Sequence, residues 1–506
     1  MKTFKLFALL LLAGIVANAQ NQPQIKTANG IVQGVTDANG ITAFKGIPYA
    51  KPPVGNLRWK APEPSSNWHG VLKADTFGPR AMQKFIFSDM RFRSKGMSED
   101  CLYLNVWAPA NVADKHLPVL VYFYGGGFAA GDGSEYRYDG ENMARKGIIT
   151  VTVNYRLGIF GFFSLPDLTK ESRNHASGNY GLLDQNEALR WVQKNIAAFG
   201  GDPAQVTIAG ESAGSMSVSA QMASPLSKGL FARAIGESGA IFGNLSPEPL
   251  LNAEQKGVQF AAMVNATSLE DLRKIPADSL LADMFKPGMP RFSTDVDGYF
   301  LPETAEAIFS KNQQSDVPVL AGWNSAEQDH QLTLENYKAE VQKQYKDKAA
   351  AILQLYPATT DAEAAQSATD LASDRFIVYA TWKWLYMHNA VSGQPVYRYK
   401  FSRILPDPGL HNPLGARHAS EIEYALGNLY SNPVYAWTAE DYKTSAIIET
   451  YFANFIKTGN PNSADLPQWP LLKNDAPVYM NIDSIAHAEP ELHQKRYMAL
   501  DSLNKK

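Results

Sequence analysis

The sequence contains a single cysteine, Cys101, among its 506 residues. One thiol cannot close an intramolecular disulfide, so the stability of the fold must come from its hydrophobic core. Cys101 stands in residues 99–106, where apolar residues alternate as they do at the start of a β-strand. We therefore expect a buried structural thiol at this position rather than a nucleophile.

The chain also lacks an excess of charge of either sign. Its 47 Lys and Arg residues stand against 50 Asp and Glu residues, which gives a formal net charge of −3. General binding to nucleic acid or to anionic membranes needs a pronounced basic excess, so we expect neither. The length suggests about three domains at ~150 residues each, but the order of the motifs described below favours one domain over residues 20–506.

No apolar run in the sequence reaches the ~20 residues that span a bilayer. The run at residues 6–16 follows two lysines and precedes the small residues Ala-Asn-Ala at 17–19. This is the pattern of a cleavable signal peptide, which we place at residues 1–19, with cleavage after Ala19. We expect a secreted or periplasmic protein without stable membrane insertion.

The pattern of apolar residues predicts an α/β protein. Residues 24–107 are rich in Gly, Pro and aromatics and have short alternating runs, which predict an antiparallel edge region. The continuous apolar runs at 117–124 and 148–155 are typical of central strands buried on both faces. Apolar positions at helical spacing over residues 182–199, followed by two glycines, predict a crossover helix.

Strands and helices then continue to alternate along the chain, which predicts a mostly parallel central sheet flanked by helices. Residues 245–310 and 330–390 have no long strand patterns, so we expect them to be helical insertions. The further strand candidates are residues 205–209, 232–237, 317–322 and 395–401.

One short motif points to nucleophilic catalysis. Residues 210–214, Gly-Glu-Ser-Ala-Gly, fit G-x-S-x-G, in which a strained strand-to-helix turn presents a serine above the sheet. Alone the motif is weak evidence, since a glycine-rich turn beside a helix N-cap serine gives the same letters. Because it lies between a buried strand and a helix of small residues, we predict that Ser212 is the nucleophile.

An acyl-transfer serine also needs hydrogen-bond donors for the oxyanion that develops on the substrate. Residues 125–128, Gly-Gly-Gly-Phe, follow an earlier strand, as lipases and esterases require. A flexible turn would have the same composition. With the serine motif also present, we predict that the backbone N–H groups of Gly126, Gly127 and Ala213 form the oxyanion hole.

Five motifs together resemble the type B carboxylesterase family, which includes the cholinesterases. The similarity is dense from about residue 30 to residue 243 and thinner afterwards. The resemblance implies an α/β-hydrolase fold and a serine esterase that uses no metal or organic cofactor. The motifs are Glu-Asp-Cys-Leu-Tyr-Leu-Asn-Val at 99–106, Gly-Gly-Gly-Phe at 125–128, Asn-Tyr-Arg at 154–156, Gly-Asn-Tyr-Gly-Leu-Leu-Asp-Gln at 178–185 and the serine motif at 210–214.

The resemblance also implies an acid and a histidine later in the chain. Glu327 matches the family's acid, and His418, three residues before Glu421, matches its histidine. His418 is then the general base and Glu327 orients it. His411 and His330 are rival histidines without a family match. Asp329 and Asp297 are rival acids, although Asp297 lies in a predicted turn.

Two departures from the family pattern stand out. Gln328 follows the acid where similar enzymes often have Gly, which leaves the local turn at Glu327 in question. Cys101 matches a family half-cystine, but its upstream partner is absent, so the loop at about residues 80–97 lacks a disulfide and we expect it to be mobile.

This loop is rich in positive charge: Lys84, Arg91, Arg93 and Lys95 stand against Asp89. In similar choline-specific enzymes an aromatic side chain on this loop faces the cation, whereas this loop is net positive and has no Trp, so a choline ester is disfavoured. Either the loop favours substrates that carry a negative charge, or its charges only face solvent.

Two functions remain open at this point. The first is hydrolysis of a small-molecule ester through an acyl-Ser212 intermediate, and the second is a catalytically silent, cholinesterase-like binding protein. The sequence gives no signal for an oligomeric state. Our candidates for lining the substrate pocket, most of which could equally be core residues, are Phe128, Glu211, Phe242, Trp323 and Phe376.

Overall fold

The computed structural model describes residues 22–110, 115–409 and 412–504. The predicted signal peptide and the rival His411 lie outside these residues. The strands are β1 (Gln24–Lys26), β2 (Ile31–Gln33), β3 (Val35–Thr36), β4 (Ile41–Pro48), β5 (Val71–Lys73), β6 (Tyr103–Pro109), β7 (Leu117–Phe123), β8 (Ile149–Val153), β9 (Gly201–Glu211), β10 (Arg233–Glu237), β11 (Glu248–Pro249), β12 (Asp295–Val296), β13 (Val319–Asn324), β14 (Val396–Phe401), β15 (Val478–Ile482) and β16 (His487–Pro490).

Helices flank the sheet and also make up most of residues 245–310 and 330–390. They are α1 (Glu141–Arg145), α2 (Gly158–Phe162), α3 (Pro166–Glu171), α4 (Tyr180–Asn195), α5 (Ala213–Ala223), α6 (Leu250–Met263), α7 (Leu269–Lys274), α8 (Ala277–Asp283), α9 (Ala305–Ser310), α10 (Leu334–Tyr345), α11 (Ala349–Leu355), α12 (Asp361–Ser373), α13 (Tyr379–Val391), α14 (Ile422–Ala425), α15 (Ala439–Thr458) and α16 (Gln494–Asn504). None of the helices in the described ranges is long and apolar enough to cross a membrane.

Eleven strands form one sheet in the order β16-β15-β14-β13-β10-β9-β7-β8-β6-β4-β3. The strands from β15 through β8 pair in parallel, whereas β3, β4 and β6 pair antiparallel at one edge. A separate small sheet contains β1, β2 and β5. These pairings confirm the predicted mostly parallel sheet and its antiparallel N-terminal edge.

The central strands are buried because their residues are apolar on both faces. Every residue of β8 is buried, and so are the last five residues of β7. The predicted crossover helix is α4, which begins two residues before the predicted start, and Gly200 ends the following turn with a φ of 85°. In that left-handed conformation glycine has no side chain to clash, which explains the stop.

The two predicted insertions are helical. Residues 245–310 contain α6 to α9, and residues 330–390 contain α10 to α13. Each has apolar side chains of its own to bury: Phe260, Leu272 and Leu280 pack in one cluster, and Tyr337 and Ile352 pack in another. Both insertions lie on the chain next to strands that end at the candidate site.

The loop at residues 80–97 is held by hydrogen bonds and ion pairs in place of a disulfide. The Arg93 side chain donates to the Ser134 carbonyl at 2.7 Å and pairs with Asp139 at 2.7 Å. Asp89 pairs with Arg137 at 2.9 Å. These contacts join the loop to residues 134–139, and its mobility stays a prediction. Cys101 is 1% exposed, as expected for a structural thiol.

Candidate functional site

The serine motif forms a sharp turn between β9 and α5. Ser212 lies between the two elements with φ 56° and ψ −119°, a conformation that side chains rarely adopt. The residues beside it must be small: a Cβ on Gly210 would come within 2.5 Å of the Phe123 carbonyl oxygen, and one on Gly214 within 2.0 Å. The Ser212 N–H donates to the Glu237 carbonyl at 2.8 Å, which fixes the turn against β10.

The structure brings the three predicted triad residues together in one hydrogen-bonded chain. His418 Nε2 lies 2.9 Å from Ser212 Oγ, and His418 Nδ1 lies 2.6 Å from a carboxylate oxygen of Glu327. Glu327 follows β13 and His418 lies between β14 and α14. The Ala326 N–H donates to the Ala416 carbonyl at 2.8 Å, so the two loops that carry acid and histidine are bonded to each other.

The turn at Glu327 is built with Gln328 at the position where similar enzymes often have glycine. One oxygen of Glu327, Oε1, accepts the Asn324 N–H at 2.7 Å and the Ser238 hydroxyl at 2.5 Å, which leaves Oε2 for His418. The Gln328 N–H is satisfied by the Ser373 hydroxyl at 3.1 Å, and the Gln328 side chain is exposed. Gln328 is therefore compatible with the turn.

The rival acids and the described rival histidine have other partners. Asp329 is exposed and accepts a hydrogen bond from Gln331 at 3.0 Å. Asp297 accepts the backbone N–H groups of two residues that follow it, in keeping with the predicted turn. His330 Nε2 lies 3.1 Å from Glu340.

The predicted oxyanion glycines lie in the same cavity as Ser212, together with Ala213. Gly126 has a φ of 107°, and a Cβ there would come within 2.3 Å of the Ala130 carbonyl oxygen. Gly127 has a φ of 63°. The lack of space for a Cβ therefore requires glycine at position 126, and the backbone conformation favours glycine at position 127.

The cavity above Ser212 has a volume of about 850 Å³. Apolar side chains line much of it, and charged side chains are added from the loop at residues 80–97 and from the loop that carries His418. Its large apolar and aromatic lining residues are Phe87, Met90, Phe128, Tyr138, Met216, Leu245, Phe376, Ile377, Leu405, Val434 and Tyr435.

Comparison with known proteins shows the family of this chain. A model of the Carboxylesterase family matches residues 21–499. The chain belongs to the carboxylesterase family. It is similar to a fumonisin B1 esterase of Sphingopyxis macrogoltabida, which is 35% identical over 481 residues covering 90% of this chain and 86% of that protein.

Two other relatives are similar over comparable lengths. A para-nitrobenzyl esterase of Bacillus subtilis is 36% identical over 491 residues, which cover 91% of this chain and 94% of the relative. A human cocaine esterase is 34% identical over 522 residues, which cover 92% of this chain and 89% of the relative. These matches confirm the predicted family, its α/β-hydrolase fold and activity as a carboxylic ester hydrolase.

Three of the five pocket candidates lie in the cavity of this carboxylesterase: Phe128, Glu211 and Phe376 line it, and the Phe376 ring packs edge-on against His418 with centroids 4.9 Å apart. The predictions for Phe242 and Trp323 were wrong. Phe242 is fully buried against Phe309, and Trp323 is 5% exposed and lines a separate small cavity.

Sequence reasoning missed Met90 and Met216, among other residues of the cavity wall. Met90 is 8% exposed, and its Cε would come within 2.9 Å of a Cβ built on Gly126. Met216 lies on the first turn of α5, one turn after Ser212. Its position there was the only signal in the sequence that could have suggested it.

Glu211 adds a second carboxylate to the histidine. Its Oε1 lies 3.1 Å from His418 Nε2, the nitrogen that also faces Ser212. Burial raises the pKa of Glu211 to about 8. Burial alone would lower the pKa of His418, but the charges of Glu211 and Glu327 outweigh it and raise this pKa to about 10. Protonation of Glu211 removes one of these charges, so the two groups titrate together.

The carboxylates around the site do not form a metal site. Within residues 22–110, 115–409 and 412–504 no group of three or more His, Cys, Asp or Glu side chains has an arrangement that could hold a metal ion.

Proposed function

We propose that the enzyme hydrolyses carboxylic esters of small molecules through an acyl-Ser212 intermediate. Ser212 Oγ attacks the ester carbonyl carbon and passes its proton to His418 Nε2, and His418 returns that proton to the departing alcohol. A water molecule, deprotonated by His418, then attacks the acyl carbon and releases Ser212. The observation that carries the proposal is the unbroken chain from Ser212 through His418 to Glu327.

Our alternative, a catalytically silent binding protein, gets no support from the site. A silent relative would be expected to lack the nucleophile or to hold it out of reach of the base. Here Ser212 and His418 are within hydrogen-bond distance, and the glycines at 126 and 127 open onto the same cavity.

We further propose that the protein is exported by a signal peptide at residues 1–19 and works as one domain over residues 20–506. The main core cluster supports the single domain, since it runs from Val32 to Leu500. N-terminal sequencing of the exported protein should begin at Gln20. A start at Met1 would contradict the export proposal.

The proposed oxyanion hole predicts a large effect at Gly127. A Cβ there meets no atom within 4 Å, so Gly127→Val acts through the backbone, because a β-branched residue is strained at a φ of 63°. The N–H groups then leave their positions, and losing one such donor costs ~10² to 10³ in kcat.

The matched control is Gly147→Val, at a glycine with a φ of 79° and equally open surroundings outside the cavity. Steady-state kinetics on one activated ester should find the control near the wild-type kcat. Near-normal turnover of Gly127→Val would contradict the assignment of the donors.

One cation of the cavity wall supports a proposal for the substrate class, although the same wall also carries the exposed acid Asp329. Arg91 is exposed and lines the cavity, and it has no ion-pair partner among the described residues. Arg93 does not line the cavity and pairs with Asp139. We therefore retain Arg91 alone as the residue that attracts a negatively charged substrate, such as a half-ester of a diacid.

This predicts that Arg91→Gln lowers kcat/KM for a half-ester about threefold to tenfold at low salt, with little change for the neutral diester. High salt should reduce the difference by screening. Lys95→Gln is the control, because Lys95 is an exposed cation of the same loop outside the cavity lining. If the ratio of kcat/KM for the half-ester to that for the diester were the same at low and at high salt, Arg91 would be a charge that only faces solvent.

A further inference from the structure

One buried acid of the cavity wall has no role in the proposed reaction. Glu423 lies on α14, in the segment that follows His418, and lines the cavity although it is only 4% exposed. Its Oε1 accepts the Asn432 side-chain N–H at 3.1 Å, whereas its Oε2 has neither a hydrogen-bond nor an ion-pair partner in the described part of the chain. A buried carboxylate is normally paired, so a group that enters the cavity can supply the donor that Oε2 lacks.

Arg137 brings the opposite charge to the same wall. It lines the cavity as well and is 6% exposed. Its Nε donates to Glu135 at 2.7 Å and its Nη2 donates to Asp89 at 2.9 Å, whereas Nη1 makes no hydrogen bond to any described residue. The two carboxylates fix the planar guanidinium group, so the N–H groups of Nη1 have a fixed direction and are available to a ligand.

One buried side chain holds Glu423 and Arg137 together. The backbone N–H of Asn428 donates to the Glu423 carbonyl at 2.7 Å, and its side-chain N–H donates to the Arg137 carbonyl at 3.0 Å. Asn428 is fully buried. The helical turn Tyr136–Tyr138, which carries Arg137, also packs against α14. The open acceptor and the open donor therefore belong to one hydrogen-bonded part of the wall.

These two groups match the chemistry of hydroxyl groups. Oε2 of Glu423 only accepts hydrogen bonds and Nη1 of Arg137 only donates them, whereas a hydroxyl group does both. A ligand carboxylate in this part of the cavity would be repelled by Glu423, and a ligand ammonium group would be repelled by Arg137. An apolar chain would displace water from both charged groups without replacing its hydrogen bonds, which is costly.

The alcohol part of an ester is the part that begins beside this wall. In the proposed reaction His418 Nε2 gives its proton to the departing oxygen, so the alcohol part starts at His418. The chain runs from His418 directly into α14, which carries Glu423.

We propose that Glu423 is a specificity-determining residue which, together with Arg137, binds hydroxyl groups on the alcohol part of the substrate. This rests on the proposed function of Ser212 and His418, and it makes esters of polyhydroxylated alcohols the preferred substrates. Glu423 Oε2 accepts the hydrogen of one hydroxyl group, and Arg137 Nη1 donates to the oxygen of the same or of a neighbouring one. A negative charge on the acyl part, which Arg91 would attract, is compatible with such an alcohol.

The first test compares kcat/KM for glyceryl monobutyrate and propyl butyrate, two uncharged esters with the same acyl group and the same length of alcohol chain. In Glu423→Gln the Asn432 N–H still binds the amide oxygen, so an NH₂ donor replaces the acceptor Oε2. The variant should lower kcat/KM for the glyceryl ester about tenfold or more and leave that for the propyl ester within about twofold of the wild type.

Glu449→Gln is the matched control. Glu449 lies on α15, pairs with Lys146 at 3.5 Å and does not line the cavity, so its variant should keep the wild-type ratio of the two kcat/KM values. Arg137→Lys keeps the charge but loses Nη1, and it should lower the same ratio. A Glu423→Gln variant that lowers both esters equally, or neither, would overturn the proposal.

Two further esters test the class and the position of the ligand group. Aminopropyl butyrate carries an ammonium group on its alcohol part, and the wild type should prefer glyceryl monobutyrate to it. Propyl hydroxybutyrate carries its hydroxyl group on the acyl part, and Glu423→Gln should leave its kcat/KM unchanged. A preference for the amine would show that the wall binds a cation, and an effect of Glu423→Gln confined to propyl hydroxybutyrate would contradict the assignment to the alcohol part.

A binding measurement separates this proposal from the proposed reaction. Glycerol monobutyl ether has no acyl carbon for Ser212 to attack, and its Kd can be measured by NMR titration beside that of butyl propyl ether. Glu423→Gln should weaken binding of the glycerol ether about tenfold and leave the other ether unchanged. Equal Kd values in wild type and variant would overturn the proposal whatever the reaction is. The expected ether result beside a fully active Ser212→Ala would refute the proposed function alone.

Discussion

Ser212→Ala should lower kcat by roughly 10⁴ to 10⁶ while the fold stays intact. The substitution removes only the hydroxyl that faces His418, and the Ser212 N–H that donates to the Glu237 carbonyl is kept. Alanine must adopt the same strained φ of 56°, so the turn experiences no new clash. The measurement is kcat on an activated ester, with circular dichroism to compare the folds.

A covalent probe gives the matching positive result. An organophosphonate should add its mass to Ser212 in the wild type and to no serine in Ser212→Ala. Ser215→Ala is the control, since Ser215 lies on α5 directly after Ser212 but its hydroxyl is buried and donates to the Gly239 carbonyl at 2.5 Å. Label on any serine other than Ser212 would remove Ser212 as the nucleophile.

Local sequence was enough to predict the central strands and the turn that carries Ser212, whereas Glu327 and His418 were predicted from the family resemblance. The runs that became β7 and β8 are apolar at nearly every position, so burial on both faces is their only stable arrangement. The glycines around Ser212 were equally informative, because a Cβ built on Gly210 or on Gly214 would come within 2.5 Å of the Phe123 carbonyl oxygen. Where only glycine fits the available space, the glycine in the sequence indicates the close contact.

Pairings across long stretches of chain could not be read from the sequence. Trp323 lies near the end of β13 and Phe242 lies after β10, but the packing of neighbouring segments decides which way such a side chain points. The guanidinium of Arg398 covers Trp323, and Phe309 packs on Phe242. The same holds for Arg93, whose partner Asp139 lies 46 residues away in the sequence.

Glu327→Gln should be nearly inactive, with kcat lowered ~10⁴-fold through the wrong histidine tautomer. Oε1 of the acid accepts the Asn324 N–H and the Ser238 hydroxyl, so the amide oxygen of glutamine must occupy that position. Its NH₂ group then faces His418 Nδ1 and donates to it. The proton of the neutral imidazole is thereby placed on Nε2, which can no longer accept the proton of Ser212.

Asp329→Asn is the matched control, because it makes the same acid-to-amide change two residues further along. Asp329 is exposed and accepts a bond from Gln331, so its variant should keep near-wild-type kcat. Both variants should keep their fold, since Gln328 and Ser373 still hold the turn. An active Glu327→Gln beside an inactive Asp329→Asn would mean that the turn without the family glycine presents Asp329 to His418 during the reaction.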